Sequence, residues 1–179
     1  MRKHTFYKST FTLLAIISSF STSFAQSVGK SGFSGSWTIN YDKSDFGQIP
    51  HYVISKQITV SGHADQISLK LDMETPSGVD TTMNEVLPLN GSGVHTDDPD
   101  KRSRTITARL SIAKDTLTIV TSASAPGTPA MEQYKINEVW TILNSGSMLV
   151  IKKTVTTTAD GDQYTVNAVY DKVAKGTAN

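Results

Sequence analysis

Phe33-Ser34-Gly35-Ser36-Trp37-Thr38-Ile39-Asn40-Tyr41-Asp42-Lys43-Ser44-Asp45-Phe46-Gly47 is the stretch whose reading decides the fold. Side chains two apart in an extended strand point to the same side, so Trp37, Ile39 and Tyr41 share one face. Gly35 licenses the turn into this first strand, and the polar run to Gly47 closes it. Alternation of this kind continues along the rest of the chain, and no segment carries a helical period.

Working outward, Tyr52 to Val60 places Ile54, Ile58 and Val60 on one face, and Ile67, Leu69, Leu71 and Met73 share the next. Ser61-Gly62-His63-Ala64 reads as the hairpin between them. Thr81 to Leu89 repeats the pattern, ended by Asn90-Gly91-Ser92-Gly93 and an irregular stretch, His95 to Lys101. Strands follow at Arg104 to Ile112 and Thr116 to Ser122, joined by Ala113-Lys114-Asp115 as an antiparallel pair. Ser124 to Pro129 is a loop, since two prolines and a glycine cannot sustain a ladder. Met131 to Leu143, Met148 to Thr158 and Gln163 to Tyr170 form a closing meander, turned at Asn144-Ser145-Gly146-Ser147 and at Asp160-Gly161. The fold class is therefore all-β: about nine strands in an antiparallel up-and-down barrel spanning residues 33–173, after a linker at 26–32 and before a disordered tail at 174–179. The outward parity is rich in Ser, Thr, Lys and Asp, which opposes a lipid-facing barrel.

The N-terminus has its own grammar. Arg2, Lys3 and Lys8 precede an apolar run, Phe11 to Ile17, and Ser23-Phe24-Ala25 puts small residues at a cleavage position, the pattern of a secretory signal peptide over residues 1–25. The run is too short to span a bilayer. Cleavage takes the basic count from 17 to 14 against 16 acidic residues, a net charge of −2, and leaves 154 of the 179 residues for one domain. Near-neutral charge without a basic run argues against nucleic acid. There is no cysteine, which excludes thiolate catalysis, zinc–thiolate and iron–sulfur sites, and a lipidated N-terminus. The expectation is a periplasmic or secreted protein, soluble once the leader is removed, with no cofactor.

Gly35-Ser36-Trp37 resembles the Gly-x-Trp opening of the lipocalin and fatty-acid-binding barrels, whose Trp closes one end. The run Phe33 to Gly47 is similar to that of small exported bacterial lipocalin-like proteins of unknown function, as is the later hairpin Glu138-Val139-Trp140-Thr141-Ile142-Leu143 with Leu149-Val150-Ile151. The resemblance implies a calycin-type barrel with an interior for a small apolar ligand. No Arg follows Arg109, so the arginine that stacks on this Trp in lipocalins has no counterpart in the sequence.

Inside a barrel, charged residues on the apolar parity are informative, because an ion there needs a partner or a ligand. Lys56 lies between Ile54 and Ile58, Glu85 between Met83 and Leu87, and Glu138 between Ile136 and Trp140; Lys153 follows Leu149 and Ile151. With Trp37, Tyr134, Trp140, Tyr164 and Tyr170 they form a candidate ligand site for the polar head of a mostly apolar molecule; alternatively they pair with one another or sit at the barrel mouths. Asp97, Asp98 and Asp100, near His95, lack the spacing of a calcium loop, and no metal site is assigned. His51, His63 and His95 all fall in or beside turns. The serines lack a nucleophile elbow, so no catalytic residue is assigned; an enzyme would need two or more of Glu85, Glu138, His51 and His95 to converge in one cleft with a perturbed pKa. Two functions follow: interior binding of a small apolar or amphipathic ligand, or a non-enzymatic envelope protein that meets a protein partner through its loops.

Overall fold

The computed structural model describes residues 32–63, 65–97, 103–124, 133–157 and 161–174. Ten strands form one antiparallel sheet: β1 (Gly35–Ile39), β2 (Gln57–His63), β3 (Gln66–Glu74), β4 (Asp80–Pro88), β5 (Asn90–Asp97), β6 (Ser103–Leu110), β7 (Thr116–Ser124), β8 (Gln133–Leu143), β9 (Met148–Thr157) and β10 (Gln163–Lys172). Their order across the sheet is β4-β3-β2-β1-β10-β9-β8-β7-β6-β5. The first and last strands therefore pair, Trp37 opposite Lys172 and Ile39 opposite Tyr170. The sheet curls until its edges β4 and β5 meet without a shared ladder, and β4 also touches β6. The result is an up-and-down barrel, closed except for one seam.

Register divides the interior into two zones. Toward the end where β1 begins and β10 finishes, Phe33, Trp37, Val60, Ile67, Leu117 and Leu149 pack into a solid core. Each such side chain taken out of water contributes roughly 1.5–3 kcal/mol before entropy is counted. Trp37 is fully buried and donates its indole N–H to the Phe33 carbonyl at 2.8 Å. The Lys172 ammonium, on the last strand, stands 4.9 Å from the centre of its ring, a cation stacked on the indole. Gly35, at φ +132°, has a backbone in the left-handed half that favours glycine, and a Cβ there would press on the flexible end of Lys172 at 3.0 Å.

The opposite end is covered by the connection from β1 to β2. Asp45 exchanges two backbone hydrogen bonds with Asn167 of β10, and 3-10 turns at Tyr41–Lys43 and His51–Val53 fold the chain back over the barrel. His51 stacks on Tyr41 at 5.0 Å and contacts Phe46 at 4.5 Å.

Several sequence expectations are corrected. The described residues form ten strands, because Asn90-Gly91-Ser92-Gly93 opens β5 instead of ending the preceding strand ahead of an irregular stretch; only Leu89 separates β4 from β5, and the register slips between Asn90 and Gly93. The positive φ of Gly91, +86°, accommodates that bulge. Tyr52 to Lys56 is not strand, Tyr41 sits half-exposed in a 3-10 turn, and Ile112 is fully exposed beyond β6. His63 lies within β2, and the turn comes after it. The leader, residues 26–31, residues 98–101 of the acidic run, most of the proline loop and the tail from residue 175 lie outside the described residues.

Candidate functional site

Above the solid core is a cavity of about 530 Å³, within the usual range for small-molecule sites. Its wall is mostly aliphatic, with Ile58, Leu69, Leu71, Leu87, Ile106, Ile119 and Ile151 facing inward from six strands. The alternation that makes these residues apolar also aims the residues in step with them into the same space.

Four ions share that wall, as two pairs. Glu85 of β4 meets Arg104 of β6 at 2.9 Å, with side chains only 8% and 29% exposed. This pair crosses the seam where the β4 and β5 ladders fail, and Arg104 also donates to Met83 Sδ at 3.3 Å. Glu138 and Lys153 stand directly opposite in the β8–β9 register, 3.5 Å apart and 21% and 14% exposed. The indole N–H of Trp140 donates to the second oxygen of Glu138 at 2.9 Å. Burial pushes the Glu85 carboxyl above its ordinary value, opposed by the Arg104 guanidinium and assisted more weakly by the charge of Glu138. The two glutamates thus sense each other across the cavity.

The same wall fastens the covering segment. Lys153 Nζ donates to the Val53 carbonyl at 2.8 Å, and the Tyr170 hydroxyl to the Ser55 carbonyl at 3.0 Å. Burial holds the Tyr170 hydroxyl well above its ordinary value, so it remains a donor.

Six of the residues chosen from sequence, Glu85, Tyr134, Glu138, Trp140, Lys153 and Tyr170, lie on the cavity wall together. Three do not. Trp37 faces inward but belongs to the solid core. Tyr164 is half-buried at the start of β10, toward the end of the barrel opposite Trp37, where burial and then the nearby Tyr52 and Tyr134 raise its hydroxyl above the ordinary value. Lys56 precedes β2, where strand parity has not begun; its ammonium turns outward to Asp80 and Glu74, each at 2.8 Å, and these two hydrogen bonds raise its pKa. Arg104 was overlooked, although it shares parity with Ile106 and Ala108 and the same rule finds it. The covering carbonyls of Val53 and Ser55 carry no sequence signal.

Of the four groups that acid–base chemistry would draw on, Glu85 and Glu138 share this cavity, and the two histidines lie elsewhere. His51 lies in the aromatic cluster of the covering segment, and the ring of His95 bonds Thr105 and Ser103 on the neighbouring strand. Among the described residues no three metal-ligating side chains gather, and no helix is long and apolar enough to cross a membrane. No family model matches the chain, and no curated protein is similar to it in sequence.

Proposed function

We propose that this is an exported lipocalin-like barrel that holds a small, mostly apolar molecule inside. The observation that carries the reading is the cavity itself: a mostly aliphatic space of about 530 Å³ with a few polar groups on its wall. A barrel this size is easily filled by its own side chains. Here the core fills only one half.

Native mass spectrometry of the protein purified from the cells that make it, beside a denaturing solvent extract, tests the reading. The expected result is an adduct released on unfolding and missing from Thr121→Trp, which fills the cavity. Clean apo protein that also fails to bind alkyl probes overturns interior binding and directs attention to the surface. The intact mass tests export separately, since cleavage after Ala25 leaves a chain beginning at Gln26.

A further inference from the structure

We propose that the interior selects an amphiphile whose polar head has no net charge and offers both a hydrogen-bond donor and an acceptor. This deepens, and rests on, the interior-binding reading.

Among the described residues, the charged ones on the cavity wall are two anions, Glu85 and Glu138, and two cations, Arg104 and Lys153. Each anion already has its cation, at 2.9 Å and 3.5 Å. The charges of the wall are therefore balanced before any ligand arrives. A carboxylate or ammonium head would bring an ion without a counterion into a mostly apolar site, or would have to break a pair and strand its partner. Either route opposes binding.

An uncharged head meets no such penalty and finds complementary groups. Arg104 has five N–H donors and Lys153 three, more than their bonds to Glu85, Met83, Glu138 and Val53 use. The two carboxylates have lone pairs beyond those that Arg104, Lys153 and Trp140 engage. A hydroxyl or amide head can thus accept from a cation and donate to an anion while both pairs stay intact. The aliphatic residues of the wall take the tail.

Three probes with the same twelve-carbon tail test this: 1-dodecanoylglycerol, dodecanoate and dodecyltrimethylammonium, titrated below micelle formation at neutral pH with Trp140 fluorescence as the signal. The glycerol ester is expected to bind at least ~10-fold tighter than either ion. Equal or tighter binding of either ion overturns the inference while leaving interior binding in place. Failure of all three removes interior binding, and this inference with it. Preference should also follow the charge of the wall. Glu85→Gln leaves one excess positive charge and shifts preference toward dodecanoate, and Glu85→Gln with Arg104→Gln returns it to the ester. Should Glu85→Gln not fold, Glu138→Gln gives the same sign test. A preference that ignores these changes also overturns the inference.

Discussion

Glu138 shows how a single side chain can join fold and site. It is held between a cross-strand lysine and an indole on its own strand, both of which also face the cavity. Removing the cation while leaving the anion should be costly: Lys153→Met strands Glu138 in a site where little water replaces the lost partner, with an expected loss of about 3 kcal/mol. The double variant Glu138→Leu with Lys153→Met should recover most of it, since an apolar pair of similar size fits an aliphatic wall. Urea denaturation of the two singles and the double closes a double-mutant cycle. A double variant as unstable as Lys153→Met would show that packing and the tie to the Val53 carbonyl, not the charge pair, set the cost.

At the scale of elements, the seam between β4 and β5 is where the barrel is least determined by its backbone. Edge amides with no ladder partner exchange readily, and side chains must keep such edges together. The Arg104–Glu85 pair is one of those closures. Arg104→Gln should speed hydrogen exchange in β4 and in the far half of β5 while leaving β8, β9 and β10 unchanged; a uniform increase would show a global loss of stability instead. The seam also explains what the sequence reveals and what it conceals. Strands with one buried face announce themselves by alternation, as Ile67-Leu69-Leu71 does in β3. β5 carries only Val94 as an aliphatic residue, and its Asn-Gly-Ser-Gly start has the chemistry of a turn, so a bulged edge strand is illegible there. The wall residues were legible by the same parity, Glu85 and Glu138 included. Parity alone cannot separate a cavity wall from a packed core or say how far along the barrel a residue sits, which is why Trp37 and Tyr164 were misplaced. Nor does it say where a strand starts, which is why Lys56 was.

For the whole molecule, two sets of carboxyl groups pull stability in opposite directions with pH. Asp72, Asp115 and Asp171 are held below the ordinary 3.8, first by hydrogen bonds from Thr82, Ser111 and Asn40 respectively. Their contribution is complete above 3.8 and fades as acid protonates them. Glu85 behaves oppositely. Its folded value is raised above 4.5, so its contribution is complete below 4.5 and is lost as pH rises through the folded value. Denaturation free energy measured against pH should therefore fall in strong acid for wild type and for Glu85→Gln alike. Between 4.5 and neutrality the wild-type curve should carry an extra downward slope that the variant lacks, and parallel curves would refute the assignment. The pairing of β1 with β10 has a last consequence, for how the barrel can be cut. Read as a loop, the strand order from β5 through β10 and on from β1 to β4 is an unbroken meander. A circular permutant that begins at Asn90, ends at Leu89 and joins the old termini by a flexible linker would make every pairing local in sequence. Its lower contact order should quicken refolding, with the new ends placed where no ladder exists to be severed.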